Sequence, residues 1–137
     1  MKDYSFLDTL LIVSGVDIEG FSDGDDVIAM ERLTDSAGHK IGADGEMTVA
    51  ISADRSGVVK FKLSQSSSSN SYLSGLVSLQ ENGVFTPIFV MLKDIRGNDI
   101  GTGTQGYIPK PANMVRGAGV NDQEWSIVVE RLDLLYG

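Results

Sequence analysis

Three glycines at positions 101, 103 and 106 spell G-x-G-x-x-G, the spacing that in a dinucleotide-binding fold turns the chain so that a pyrophosphate meets a helix N-terminus. Here Tyr107, Ile108, Pro109, Lys110 and Pro111 follow, and two prolines in that window forbid the helix the chemistry needs. The motif reads as a glycine-rich strand end, with no cofactor. Asp23, Asp25 and Asp26 around Gly24 supply part of a calcium loop, but Thr34 stands where the bidentate Glu belongs, so the cluster reads as a solvated turn. His39 is the only histidine and has no cysteine to share a metal with. A hydrolytic triad would have to use it, yet no G-x-S-x-G elbow occurs, and Ser74 before Gly75 falls on a predicted helix. Nothing selects a pair of carboxylates for glycoside chemistry. The sequence therefore names no catalytic, cofactor-binding or metal-binding residue, and the protein is expected not to be an enzyme.

The elements that would carry such groups are best marked between Glu46 and Asn82. Met47, Val49, Ile51 and Ala53 alternate with Glu46, Thr48, Ala50 and Ser52, and Val59, Phe61 and Leu63 alternate with Val58, Lys60 and Lys62. Asp54-Arg55-Ser56-Gly57 between them has turn chemistry, so the two runs are predicted to pair as a hairpin. Ser66 to Ser69 and Asn70 offer helix N-caps. Leu73, Leu76, Val77 and Gln80 then make a helical stripe that Asn82-Gly83 closes, giving a helix over about residues 67–81 packed on the hairpin. Phe61, Leu63, Leu73, Leu76, Val77 and Trp125 are the predicted core.

Elsewhere, residues 4–13 suggest a strand or docked arm. Val16 to Glu19 and Val27 to Leu33 suggest a second hairpin around the SDGDD turn. Thr34 to Gly45 reads as a long Gly-rich loop, of the kind that in a compact domain is functional or ordered by a partner. Val84 to Leu92 reads as a strand covered on both faces, with Pro87 at an edge or bulge. Asp94 to Asn98 is a turn, Gly101 to Tyr107 a strand, and Glu124 to Leu134 a closing strand with Trp125, Ile127 and Val129 on one side and Glu124, Ser126 and Glu130 on the other. About seven strands and one helix make the fold mainly β, an antiparallel sandwich or small barrel with one flanking helix.

At 137 residues the chain is expected to form one domain, burying about two-thirds of its unfolded surface. With no cysteine, disulfides and thiolate metal sites are excluded. No apolar run reaches membrane-spanning length and the N-terminus lacks the basic start of a signal peptide, so a soluble, non-membrane protein is expected. The formal charge of −8 is uneven: residues 1–35 hold nine acids against Lys2 and Arg32. A face built from that third would repel nucleic acid rather than grip it.

In order, Tyr4 and Phe6, Glu19-Gly20-Phe21-Ser22-Asp23-Gly24-Asp25, Gly42-Ala43-Asp44-Gly45, Leu63-Ser64-Gln65-Ser66-Ser67 with Asn70 before Leu73, Phe85-Thr86-Pro87-Ile88, the turn from Asp94 to Gly97, Ile108-Pro109-Lys110-Pro111, and Trp125 with a terminal Gly137 run through nearly the whole chain. Taken together they resemble the small tail tube proteins of mainly contractile-tailed bacteriophages and prophages. The resemblance implies a structural virion protein that self-assembles into homohexameric rings, stacked as a hollow tube through which genomic DNA passes during ejection. Its partners would be other copies of itself, the sheath, baseplate and terminator proteins, and DNA in transit without specific binding; assembly would take place in the host cytoplasm.

It also implies a role for the loop at 34–45 as a contact between rings, with Thr34, Asp35, Gly38, His39, Lys40, Ile41, Gly42 and Asp44 as its candidates. Six copies at −8 each would carry −48, and Asp17, Glu19, Glu46 and Glu130 are the candidates for an acidic lumen. The competing readings are a tube of a tailocin or type VI secretion-like device, whose lumen carries no DNA, and a monomeric ligand-binding β-sandwich.

Overall fold

The computed structural model of the chain describes residues 8–24, 26–95 and 97–137. In chain order its strands are β1 (Thr9–Val13), β2 (Val16–Asp17), β3 (Ile28–Arg32), β4 (Ala37–Ile41), β5 (Met47–Ile51) and β6 (Gly57–Ser64). Helix α1 (Ser69–Glu81) follows, then β7 (Ile88–Asp94), β8 (Ile100–Tyr107) and β9 (Asp122–Leu135). Seven strands form one antiparallel sheet in the order β2-β1-β7-β8-β9-β6-β3, and β4 pairs with β5 in a sheet of its own. The fold is mainly β with one helix, as the alternation predicts.

The large sheet curls around a single core. Leu11 and Val13 from one side of the strand order and Val59, Phe61 and Leu63 from the other share a cluster with Leu73 and Val77 of α1 and with Trp125, Ile127 and Val129 of β9. Phe61, Leu63, Leu73, Val77 and Trp125 are buried as expected, and Leu76 is half-buried against the cluster. On β9 the alternation slips by one: Val129 is buried, Glu130 and Arg131 are both exposed, and Leu132 is buried again. Across from Glu130, Gln105 of β8 takes φ +55°, and the β7–β8 register shifts between Ile88 and Val90. A bulge of this kind bends the sheet, so that both halves of β9 can point apolar side chains at the same interior.

Three side chains tie α1 to the sheet. Tyr72 donates its hydroxyl to the Val13 carbonyl at 3.1 Å. Gln80 reads both backbone groups of Ile108, donating to its carbonyl at 2.7 Å and accepting from its amide at 3.1 Å. Asn70 accepts from the Trp125 indole at 2.9 Å and donates to the Ser64 carbonyl at 2.9 Å. Each bond satisfies a polar group that packing would otherwise strand, at a net worth of about 1 kcal/mol.

Several expectations need correcting. Met47 to Ile51 does not pair with the strand after Gly57; β5 pairs with β4, and β6 lies between β3 and β9. The second expected hairpin is also absent, because β2 folds back on β1 through Ser14 (φ +50°) and Gly15 (φ +86°), while β3 pairs with β6. Those positive angles suit a two-residue hairpin turn, which leaves β3 free to seek another partner. The strand expected from Val84 begins only at Ile88, just after Pro87, and Val84 and Phe85 are exposed. The predicted strand 4–13 survives as β1; Tyr4 and Phe6 lie outside the described residues. The described residues hold nine strands rather than about seven.

Candidate assembly interface

The stretch expected to be an unstructured loop is one half of a projecting arm. Ala37↔Ile51, Gly38↔Ala50, His39↔Val49, Lys40↔Thr48 and Ile41↔Met47 face one another across it. The turn is built by the Gly42 amide donating to Glu46 O at 2.8 Å and the Gly45 amide donating to Gly42 O at 2.9 Å, with Gly45 at φ +85°. The Glu46 amide also donates to Asp44 Oδ1 at 3.1 Å. At the base, Ser52 N donates to Ser36 O at 2.9 Å and Leu33 N to Ser56 O at 3.1 Å. There the exposed Asp54 carboxylate is held below its usual range by the amide and hydroxyl of Ser56. These bonds define where the arm leaves the sheet.

Directly paired residues of an antiparallel ladder share a face. Ala37, His39, Ile41, Met47, Val49 and Ile51 therefore lie together on one side of the arm, and Gly38, Lys40, Thr48 and Ala50 on the other. Every residue of both strands is exposed, with Ile41 at 59%, Met47 and Val49 at 57% and Ile51 at 76%. The alternation in the sequence is real, but among the described residues the apolar face it creates is left uncovered. A lone two-stranded hairpin is marginal in water. Clustered apolar exposure of this sort marks an interaction surface.

The inter-ring candidates thus separate by position. Thr34 and Asp35 are at the base, Gly38, His39, Lys40 and Ile41 in β4, and Gly42 and Asp44 in the turn. Sequence reasoning placed Met47, Val49 and Ile51 on the domain's own packed face and so missed them for this surface. The proposed lumen acids are all exposed but are not brought together. Asp17 ends β2 and Glu19 follows it, Glu46 is in the arm's turn, and Glu130 lines a shallow depression with Arg55 and Arg131. Away from the core, the β3–β6 face carries both signs, with Lys60 near Glu31 at 3.9 Å and Lys62 near Asp26 at 3.6 Å.

The motifs that suggest chemistry have structural explanations. A Cβ on Gly103 would sit 2.8 Å from a Val129 methyl, and one on Gly106 would sit 2.9 Å from the Ile88 carbonyl, so the glycine spacing serves close packing within the sheet. The serine run does more than cap a helix. Ser68, at the N-cap, makes no side-chain cap bond, whereas the Ser67 hydroxyl donates to Glu19 O at 2.5 Å and Ser69 Oγ accepts from Glu19 N at 3.0 Å. The run pins the segment after β2 to α1. Among the described residues no group of His, Asp and Glu could hold a metal ion.

The whole chain, residues 1–137, matches the family described as Bacteriophage PhiTE tail tube protein. The chain belongs to that family. Members of the family are structural proteins of the tail tube, so this chain is a tube-type structural component of the virion tail and not an enzyme. No curated protein matches the chain. Among solved structures it is similar to the sheath/tube terminator of the extracellular contractile injection system PVC in its extended state, with a TM-score of 0.63 at 9% identity, covering 98% of both chains. It is also similar to a chain of the PVC sheath-tube complex, with a TM-score of 0.62 at 11% identity over 98% of this chain and 93% of that one. A third likeness is to the tube-terminating cap of the anti-feeding prophage, with a TM-score of 0.57 at 6% identity over 100% of this chain and 93% of that one. At such identities the likeness is one of fold. Among the described residues no helix is long and apolar enough to cross a membrane.

Proposed function

We propose that the chain is the repeating subunit of a phage tail tube, acting as one domain over residues 1–137. Copies join edge to edge as six-membered rings, and the rings stack through the arm into a hollow tube that conducts genomic DNA. The observation that carries this is the arm's unpartnered apolar face, Ile41, Met47, Val49 and Ile51, on a hairpin detached from the main sheet. The large sheet supports lateral joining. Among the described residues it is open, with edges at β2 and β3, and edges of that kind are templates for pairing with another chain.

In this reading the arm residues from Thr34 to Asp44 contact the next ring. Asp17, Glu19, Glu46 and Glu130 contribute to an acidic surface that lets DNA slide without sticking. Sheath, baseplate and terminator proteins are the expected partners, with assembly in the host cytoplasm. The second reading, a tube of an injection device, has support from the fold shared with the PVC sheath-tube complex; the family match to a phage tail tube favours the first reading. Electron microscopy and sedimentation of the purified chain across a concentration series test it. Annular particles and tubes of uniform diameter are expected, and a single monomeric species at the highest soluble concentration, with or without added tube seeds, would overturn it.

A further inference from the structure

The arm's apolar face contains one residue that can take up a charge near neutral pH. His39, the only histidine of the chain, pairs with Val49 across the ladder. Its side chain therefore shares the face of Ala37, Ile41, Met47, Val49 and Ile51, with Ala37 and Ile41 on either side of it along β4 and Met47 and Ile51 on the diagonals of β5. The charged groups of the arm lie elsewhere. Lys40 is on the opposite face, and its positive charge would oppose an imidazolium rather than hold it. Glu46 sits in the turn beside Gly42, three positions along the strand from His39, and Asp44, Asp35 and Asp54 stand at the two ends of the arm. At about 3.3 Å per residue those three positions span about 10 Å, beyond the screening length of about 8 Å at physiological salt. Among the described residues no other element covers the arm, whose ten strand residues are all exposed, and none of their carboxylates pairs with His39.

We propose that His39 gates the arm by pH: contact with a second copy of the chain buries the neutral imidazole among the arm's aliphatic side chains, and protonation releases the arm. The inference rests on the arm being the stacking contact, and adds how that contact is regulated. An imidazole is ordinarily half-protonated near about pH 6.5, and moving the cation from water into an apolar contact is disfavoured unless an acid pairs with it. The docked arm therefore binds fewer protons than the free arm. By linkage the full strength of the contact is present above about pH 6.5 and is lost as pH falls through and below that value. With only the neutral form competent to dock, the competent fraction drops to about a tenth at about pH 5.5, and the critical concentration for assembly rises about tenfold over its value at about pH 7.5.

Critical concentrations measured by light scattering and electron microscopy between about pH 7.5 and about pH 5.5, at constant ionic strength, test this in the parent and in His39→Gln. His39→Val, which keeps the strand preference, is the second variant. Carboxylates titrate mostly below that range and are common to all three proteins, so the ratio of parent to variant isolates the imidazole. The expected result is a ratio that climbs about tenfold across the range, with parent tubes grown at the upper pH shortening at the lower one while variant tubes persist. A ratio independent of pH would overturn the gate and leave the arm's stacking role standing. A ratio that falls with acid would also overturn it, and would show that a carboxylate of the second copy holds the imidazolium. Failure of the parent to form rings or tubes even at the upper pH would overturn the underlying tube reading, and this inference with it.

Discussion

Replacing Ile41, Met47, Val49 and Ile51 together by threonine should abolish tube growth while leaving the subunit folded. Threonine keeps the β-branched preference for a strand, so the arm's ladder is not the target. In the free chain these side chains expose 59%, 57%, 57% and 76% of their surface, so little native burial is lost. Surface changes of this kind alter stability by no more than about 0.5 kcal/mol each. In the assembly the same fractions are available for burial, and at about 1.5 to 3 kcal/mol for a whole aliphatic side chain they amount to about 4 to 7 kcal/mol per docked arm, before ordering costs. Each 1.4 kcal/mol is a factor of ten in an equilibrium constant, so losing half of that term should raise the critical concentration for assembly by about thirtyfold to about three-hundredfold. The assay pairs a thermal melt of dilute protein with light scattering and electron microscopy across concentration. Tubes appearing at the parent's critical concentration would refute the stacking role of the arm. A variant that no longer melts cooperatively would show instead that the arm belongs to the domain's own fold.

Within the domain, Phe61→Ala should cost about 3 to 5 kcal/mol in denaturant titration, because the ring is wholly buried, and Leu76→Ala clearly less, because that side chain is half-exposed. Asn70→Ala should cost about 1 to 3 kcal/mol and shift the Trp125 fluorescence, since it strips the partner from a buried indole N–H. Burial pushes the Tyr72 phenol above its ordinary value, so the folded state holds that proton more tightly than the unfolded chain does. The stability this contributes is present below about pH 10 and lost as pH rises through and beyond it. Tyr72→Phe should be less stable near neutrality, by about 1 kcal/mol for the bond to Val13, and should lose less than the parent in urea titrations between about pH 8 and about pH 11. His39→Ala should assemble, and chelator should leave the melting temperature unchanged; a large chelator-induced drop would revive the calcium reading of the Asp23 turn.

The fold class, the helix from the serine run to Asn82-Gly83, the turn after Asp94 and the closing Trp125 strand were legible because each is specified locally, by a periodicity or a turn residue. Strand partners were not. Two turns compete around Met47–Ile51, Gly42-Ala43-Asp44-Gly45 before it and Asp54-Arg55-Ser56-Gly57 after it, and both have suitable residues. Choosing the later one produced a hairpin that does not exist. The Ser14-Gly15 turn was the clue available for β2, since a serine-glycine pair between apolar runs is a turn signal. The bonds of Tyr72, Gln80 and Asn70 join residues 28 to 59 positions apart, a distance over which no local pattern speaks.

The misplaced strand also explains why half of the proposed assembly surface escaped notice. Alternation shows that one face of a strand must be buried; it is silent on what buries it. Met47, Val49 and Ile51 carry the pattern of a core strand as clearly as Val59, Phe61 and Leu63 do, yet the first set is exposed and the second almost fully enclosed. For a monomer the two patterns would mean the same thing. In a subunit built to polymerise, apolar periodicity also encodes contacts that exist only between copies. A strand whose alternation is strong and whose intrachain partner is only another exposed strand is then a direct sign of a missing chain. By that criterion β4 and β5 are the segments of this protein whose folding the proposed assembly would complete.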